Sequence, residues 1–200
     1  QCLVGSEMCI RDRFTEKRDI EISAFITSWI SYGRRELILR KADWLHSRMG
    51  GSPYEWVLSG RYWELVSDVP AGKRDTFYRF YTHSDLCALC DRLKEIYQRY
   101  DSLEDALAAS SYPNPVFKLQ DLFSGINGIP VMGGTSACKR LAMFLRWMVR
   151  TDGIVDFGIW QTVFHPRQLI IPLDTHVHQI SLELGLTQPV SYTHLRAHET

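Results

Sequence analysis

The sequence has little cysteine, no net charge and no long hydrophobic run. Its 23 lysines and arginines equal its 23 aspartates and glutamates, which argues against a protein that coats nucleic acid by charge alone. No run of 18 apolar residues occurs, so we expect no membrane span. Of the five cysteines, Cys2 and Cys9 lie within the first 13 residues. The odd remainder of three, with no signal-like start, favours a reducing, cytoplasmic location.

The two ends of the chain are related to each other. Residues 2–13 and 190–200 can be encoded by the two strands of one oligonucleotide, which resembles the transposon adapter used to prepare sequencing libraries. We therefore expect residues 1–13 and 189–200 to be an artefact, as a cloning scar would be. Residues 14–188, truncated at both ends, suit one helical domain with a sizeable core.

Apolar residues recur with the period of an α-helix, and the alternation typical of strands is nowhere sustained. We predict an all-α fold. The predicted helices, in chain order, span residues 20–30, 37–49, 53–58, 84–100, a short stretch after 102, 113–126, 136–150, 155–164 and a last one that begins near 174. Ser52 is the expected N-cap of the helix at 53–58, and Ser84 and Ser102 are expected to start the two helices that follow.

The clearest of these helices separates apolar from basic side chains. With about 100° per residue, Arg146 and Arg150 lie within roughly 20° of Lys139. No acidic residue occurs between Asp121 and Asp152. Such a cationic stripe suits phosphate groups, although a solvated helix face is the common alternative.

Lys139 has an unusual place in that helix. With Ser136 as the N-cap, Lys139 is the third helical residue, where a glutamate is preferred and the helix macrodipole disfavours a cation by about 0.3–1 kcal/mol. This position favours a nucleophilic amine, but burial beside a ligand would have to supply most of the effect.

Asp174 lies between an apolar run and an amphipathic helix. Residues 170–173 are Ile-Ile-Pro-Leu, and Val177, Ile180 and Leu184 fall on one face of the helix that follows. Aspartate is a favoured N-cap, and a half-buried carboxylate is also a candidate catalyst. From the residues alone both interpretations remain open.

A glycine-rich turn, a helix that opens with a lysine and an apolar-Pro-Leu-Asp-Thr-His segment together resemble the helix-hairpin-helix DNA glycosylase superfamily. The chain is more closely similar to an uncharacterised bacterial family, domain of unknown function 2400, which is related to those glycosylases. The similarity covers almost all of residues 14–188. The strings that carry it are SACKRLAMFLRWMVR at 136–150, VDFGIW at 155–160 and PLD at 172–174.

The resemblance implies a helix-hairpin-helix glycosylase-like fold with a DNA-facing cleft between residues 14–128 and the region after them. A flipped nucleotide would enter this cleft. Asp174 would stabilise positive charge on the sugar, and either water or the amine of Lys139 would attack the sugar carbon. The expected function is excision of a damaged purine, such as an oxidised one, with cleavage at the abasic site where lysine attacks.

Charge and resemblance also indicate which residues would contact DNA. Backbone amides of the glycine-rich turn would hold a phosphate, and two arginines after the first helix would fill the gap left by the flipped base. The expected DNA-binding residues are Gly133, Gly134, Thr135, Arg140, Arg146, Arg150, Arg34 and Arg35.

The expected partner is double-stranded DNA, and we expect a monomer without a cofactor, a metal or a membrane attachment. Cys87 and Cys90 are spaced like half of a zinc site, but with no second pair they are expected to be core thiols. A base-stacking residue is expected among the aromatic side chains, and the sequence does not decide which. The candidates are Trp44, Trp63, Tyr78, Phe80, Trp147 and Trp160.

Two other functions remain open at this point. One is a non-catalytic nucleic-acid-binding module that keeps the same scaffold. The other is a small-molecule enzyme, since a fold does not by itself determine a function.

Overall fold

A computed structural model of the chain describes residues 13–67, 75–152, 156–172 and 175–185. This part is all-α, as predicted, and within it the only β-type pairing consists of two isolated bridges. The helices are α1 Lys17–Ile30, α2 Arg35–Met49, α3 Pro53–Ser59, α4 Glu64–Ser67, α5 His83–Tyr97, α6 Leu103–Ala108, α7 Pro115–Leu122, α8 Lys139–Val149 and α9 Thr175–Glu183. Two 3-10 turns are Arg61–Trp63 and Pro166–Gln168.

Helix α1 is the centre of the fold. Every residue from 19 to 30 is buried, as expected for a helix that other helices surround. It packs against α2, α3 and α8. The ring of Phe25 stacks on Phe123, with centroids 4.1 Å apart, and meets Phe144 of α8 edge-on at 5.0 Å.

Several helices begin at the capping residues that the sequence indicated. The Ser52 hydroxyl accepts the Glu55 N–H over 3.1 Å at the start of α3, and Ser102 caps α6 in the same way. Helix α5 begins before the predicted serine, because Thr82 and Asp85 form a reciprocal capping box there.

The start of α8 differs from the prediction. The residue before the helix is Cys138, in the left-handed region with φ 49°, and no side chain caps the helix. Ser136 is therefore not the N-cap, and its hydroxyl accepts the Cys138 N–H over 3.2 Å outside the helix. Lys139 is the first helical residue, not the third.

The predicted division of α8 into an apolar and a cationic face is only partly right. From 141 to 149 every residue except Arg146 is buried. Helices α1 and α7 pack against α8, and residues 156–160 cover its C-terminal end, where the Phe157 N–H donates to the Trp147 carbonyl over 2.7 Å.

The helix predicted at 155–164 is wrong for residues 156–164, which are not helical. The Trp160 N–H donates to the Met148 carbonyl over 2.8 Å, and its indole N–H donates to Glu21 over 2.6 Å. These long-range hydrogen bonds replace the local ones that a helix would make.

Helix α9 begins at Thr175, which agrees with the predicted start near 174. Asp174 itself lies outside the described residues. Ile180 and Leu184, predicted to share a packing face, are 55% and 67% exposed.

Cys87 and Cys90 are buried in α5, as predicted for core thiols. Among the described residues, no three side chains of the metal-binding types form a group that could hold an ion. In the same part of the chain, none of the helices is long and apolar enough to cross a membrane.

Candidate functional site

A cleft of about 430 Å³ lies between the C-terminal end of α1 and the N-terminal end of α8. Its walls come from residues 28–33, from Ile38 of α2, from the loop 128–130 and from residues 136–143. This volume is in the range that holds a small organic ligand. Both the region before residue 128 and the region after it contribute walls.

Lys139 lines this cleft and is half-buried. The loop that leads to Lys139 is held by Gln120 of α7. The Gln120 residue is only 5% exposed. The Gln120 amide nitrogen donates to the Pro130 carbonyl over 2.8 Å and to the Cys138 sulfur over 3.4 Å. One side chain therefore holds both ends of the loop that precedes the lysine.

Arg140, a half-buried residue of the cleft wall, joins α8 to the other walls at Trp29 and Gly128 and to Tyr81 behind them. Its guanidinium donates to the Trp29 carbonyl over 2.5 Å, to the Gly128 carbonyl over 2.8 Å and to the Tyr81 hydroxyl. A Cβ atom at Gly128 would lie 2.1 Å from the Tyr81 oxygen, so the close approach requires glycine there. The DNA contact expected of Arg140 stays a prediction, and its observed hydrogen bonds are structural.

Two exposed aromatic rings and an arginine lie at the edge of the cleft. Tyr32, which also lines the cleft, and Phe80 are each 51% exposed, and their rings meet edge-on at 5.5 Å. The guanidinium carbon of Arg79 is 5.2 Å from the centre of the Tyr32 ring. We call Tyr32, Arg79 and Phe80 the aromatic rim. A surface of this kind can stack on a flat ring or on a nucleobase.

The aromatic rim is held by buried tyrosines. The Tyr78 hydroxyl donates to the Tyr32 carbonyl over 2.9 Å, and the Tyr81 hydroxyl donates to the Trp29 carbonyl over 3.3 Å. Burial raises the pKa of both tyrosines, although Arg140 opposes the shift at Tyr81. Both hydroxyls therefore keep the protons that these hydrogen bonds need.

The chain matches the model of one protein family over residues 8–200, and that family is described as "Protein of unknown function (DUF2400)". The chain belongs to this family. No curated protein and no solved structure matches it. All of the cleft residues in this DUF2400 member lie inside the matched range.

Arg34 and Arg35 are exposed at the start of α2, directly after Gly33 of the cleft wall. They are therefore close to Tyr32 of the aromatic rim. Their predicted place in the gap left by a flipped base stays a prediction.

Gly133, Gly134 and Thr135 are exposed in a turn. The Gly134 N–H donates to the Val131 carbonyl over 3.0 Å, so this amide is used within the turn. Because α8 begins at Lys139, these residues do not form its N-terminus. Phosphate binding by their amides stays a prediction.

The cationic stripe is split between the two ends of α8. Arg146 and Arg150 are roughly 10–16 Å along the helix axis from Lys139, at 1.5 Å per residue. Their Nε atoms lie 3.3 and 3.6 Å from the same oxygen of Asp156, which is fully buried. Only Lys139 of this stripe belongs to the cleft.

The approach of Lys139 to Asp174 stays a prediction, because Asp174 lies outside the described residues. Of the aromatic candidates, Tyr78, Trp147 and Trp160 are buried. Phe80 belongs to the rim, whereas Trp44 is half-buried and Trp63 is 50% exposed.

The sequence did not indicate Tyr32 or Arg79 as site residues. For Tyr32 a signal was present, since it directly precedes Gly33, where helix α1 has ended. An aromatic residue just past the end of a helix does not belong to the apolar face by which the helix packs, so its ring can be exposed. For Arg79, no pattern in the neighbouring sequence predicts its position over the Tyr32 ring.

Proposed function

We propose that this protein binds DNA across the cleft and removes a damaged base, with Lys139 as the nucleophile. The observation that carries the proposal is that Lys139 lines a cleft whose edge presents two exposed aromatic rings beside arginines. A lysine alone is common on protein surfaces. Its position in a cleft with a stacking surface is the arrangement that chemistry on an extruded base requires.

Binding would use the aromatic rim and the cations next to it. Tyr32 and Phe80 would stack on unpaired bases, which is worth about 1–3 kcal/mol per base. Arg34 and Arg35, exposed beside them, would contact the phosphates on either side. The base that leaves the stack would enter the cleft and meet Lys139.

The chemical step would be attack of the Lys139 amine on the sugar carbon that carries the base. The nitrogen lone pair forms a bond to this carbon, the glycosidic bond breaks, and its electron pair leaves with the base, which takes up a proton. The amine nitrogen loses a proton, the ring oxygen takes one up as the sugar ring opens, and a protonated imine forms. Loss of a proton from C2′ then forms a double bond between C2′ and C3′, the C3′–O bond breaks, and the 3′ phosphate leaves, which cuts the strand. Asp174 would stabilise the positive charge on the sugar.

We further propose a glycosylase-like helix-hairpin-helix arrangement for the region from α7 to α9. Two observations support it. The turn at 131–134 precedes the helix that opens with Lys139, and α9 begins directly after Asp174. The free thiols of Cys87, Cys90 and Cys138 support a reducing compartment and hence a cytoplasmic location.

Binding is tested with a short DNA duplex that contains one abasic site, followed by fluorescence anisotropy. The double variant Tyr32→Ala/Phe80→Ala should bind about tenfold more weakly, as the loss of one stacked base predicts. Trp63→Ala is the matched control, because Trp63 is equally exposed but does not line the cleft. Equal affinities for the double variant and the wild type would contradict the placement of DNA on this edge.

The same duplex separates the enzyme from the binding module. If the wild type binds the duplex and processes its lesion, and Lys139→Gln binds but does not process it, the enzyme is supported. If neither protein processes any damaged or abasic duplex although both bind, the chain is a binding module on this scaffold.

A further inference from the structure

Arg146 and Arg150 converge on one buried carboxylate. Arg146 is in the last turn of α8, and Arg150 is the residue that directly follows the helix, with its N–H donating to the Arg146 carbonyl over 2.9 Å. The Nε atom of Arg146 is 3.3 Å, and that of Arg150 3.6 Å, from Oδ2 of Asp156. The two Nε atoms are therefore within about 7 Å of each other.

Two like charges at this separation repel, and Asp156 offsets the repulsion. Asp156 is fully buried, whereas the side chains of Arg146 and Arg150 are 39% and 47% exposed. Burial raises the pKa of the Asp156 carboxyl, and the two arginines oppose that shift. The Asp152 carboxylate is also close enough to raise the pKa of Asp156, so the cluster holds two carboxylates and two guanidiniums.

The place of Asp156 is fixed by the backbone around it. The Asp156 N–H donates to a carboxylate oxygen of Asp152 over 2.9 Å. The N–H groups of Phe157 and Gly158 donate to the Trp147 carbonyl over 2.7 and 3.2 Å. The Asp156 carboxylate therefore belongs to a segment that is hydrogen-bonded to the end of α8. Movement of this segment away from the arginines would break these hydrogen bonds.

The Nε–H of Arg146 donates a hydrogen bond to Asp156 over 3.3 Å, whereas the Nε of Arg150 forms an ion pair with the same oxygen at 3.6 Å. Both side chains keep a large exposed fraction. A guanidinium has donors on two edges, so occupation of the Nε position leaves terminal N–H groups for another acceptor. Paired guanidiniums held side by side match the several oxygens of a phosphate group better than two flexible lysines would.

We infer that Arg146 and Arg150 form a binding site for a phosphate group and that Asp156 is the residue that positions them. The source of the phosphate is the DNA backbone, which rests on the proposed function. The site lies roughly 10–16 Å from Lys139 along α8, the distance of a few nucleotides at 3.4 Å per base pair. It would hold the duplex at the C-terminal end of α8, while the aromatic rim would hold it at the edge of the cleft.

The opposing interpretation is that Asp156 merely neutralises two surface arginines. The two interpretations predict opposite signs for Asp156→Asn. Loss of a neutralising charge makes the surface more positive and strengthens DNA binding. Loss of a positioning charge lets the guanidiniums separate and weakens phosphate binding in spite of the added net charge.

The experiment measures binding of a short DNA duplex by fluorescence anisotropy over a range of salt concentrations. Asp156→Asn should bind about threefold more weakly, and Arg146→Lys/Arg150→Lys, which keeps the net charge, about tenfold more weakly. The matched control is Arg61→Lys/Arg99→Lys, a pair of exposed arginines on other elements, and it should bind like the wild type. Tighter binding by Asp156→Asn, or unchanged binding by Arg146→Lys/Arg150→Lys, overturns the inference.

A second measurement separates this inference from the proposed function. Inorganic phosphate is titrated into the wild-type chain, and the Nε–H signals of the arginines are followed by NMR. If phosphate shifts the signals of Arg146 and Arg150 but no duplex binds, the anion site stands and the DNA function fails. If the duplex binds but phosphate shifts neither signal, the DNA function stands and this site fails. Should Asp156→Asn not fold, the lysine double variant and this titration still decide.

Discussion

The indole N–H of Trp160 donates a hydrogen bond to the carboxylate of Glu21 over 2.6 Å, although 139 positions separate the two residues. Glu21 is fully buried. Its other oxygen accepts the Tyr97 hydroxyl over 2.8 Å and the Leu103 N–H over 3.0 Å. One carboxylate thus joins α1, the end of α5, the start of α6 and the segment that follows α8.

All of these partners are hydrogen-bond donors, so residue 21 must provide an acceptor atom at both ends of its side-chain group. Burial raises the pKa of the Glu21 carboxyl, and the hydrogen bonds from Leu103, Tyr97 and Trp160 oppose that shift. In Glu21→Gln, the amide oxygen can still serve Tyr97 and Leu103, but the amide NH₂ then faces the Trp160 N–H. We expect a loss of about 3 kcal/mol in the free energy of unfolding, measured in urea.

Glu36→Gln is the control for that substitution, because Glu36 is exposed on α2. Its effect should stay within about 0.5 kcal/mol. A similar, small effect of Glu21→Gln would show that the buried carboxylate does not hold the segment after α8.

Substitution of Arg140 is expected to change the stability of the fold more than the affinity for DNA. Its guanidinium serves Trp29, Gly128 and Tyr81 inside the protein. Arg140→Gln should lower the free energy of unfolding by about 2–3 kcal/mol, because buried carbonyls lose a charged donor. Arg34→Gln, at an exposed position, should change it little. A stable Arg140→Gln variant that loses DNA affinity would instead assign Arg140 to the DNA interface.

A pair of glycines tests the close packing of the cleft wall. Gly128 and Gly133 have φ angles of 82° and 75°, so alanine strains the backbone at both by roughly 1 kcal/mol. At Gly128 the new Cβ also collides with the Tyr81 oxygen, whereas at Gly133 nothing lies within 4 Å. Gly128→Ala should therefore unfold at least about 2 kcal/mol more easily than Gly133→Ala in chemical denaturation. Equal costs would mean that Tyr81 moves aside freely.

His46 should make the fold less stable in acid. Burial lowers its pKa from 6.5 to about 4, with a smaller contribution from Arg13 that Asp43 opposes. It accepts or donates a hydrogen bond with Ser23 over 2.7 Å in the core. The unfolded chain binds a proton below pH 6.5 and the folded chain does not. The stabilisation that depends on neutral His46 is therefore complete above pH 6.5 and is lost as the pH falls toward 4. The total loss in the free energy of unfolding is about 3 kcal/mol.

Urea unfolding of the wild type and of His46→Gln at several pH values between 4 and 6.5 measures this contribution. The stability of the variant should fall less steeply with decreasing pH than that of the wild type. Parallel pH profiles would show that His46 is not held neutral by the fold.

The helices were largely predictable because their signals are local. Ser52 and Ser102 cap the helices that they were expected to cap. The apolar period of residues 20–30 gives α1, although its burial on all sides depends on the helices that surround it. These features need only neighbours within a few positions in the sequence.

The predictions of secondary structure are wrong where contacts between distant parts of the chain determine the conformation. Residues 156–160 have a helical apolar period but bind the end of α8 and Glu21 instead. Cys138 adopts a left-handed conformation, in a loop that Gln120 holds from another helix. Sequence spacing does not reveal either contact.

The candidate site was predicted in part. Lys139 was selected because a cation at a helix start is unusual, and it lines the cleft, although its helical position was wrong. Arg140 was assigned to DNA by its charge, and that contact stays a prediction. Its hydrogen bonds to Trp29 and Gly128 could not be predicted, because they join residues far apart in the sequence. The contact between Tyr32 and Arg79 joins a helix end to a distant turn and leaves no local pattern.

The central claim is that the Lys139 amine reacts with the sugar of a DNA nucleotide in the cleft. Reduction with borohydride of the chain bound to an abasic duplex would trap the imine as a stable adduct. We predict an adduct on Lys139 that is absent in Lys139→Gln and present in Lys94→Gln, a lysine of α5 outside the cleft. A chain that binds the duplex without forming an adduct, or an adduct that persists in Lys139→Gln, would contradict the account.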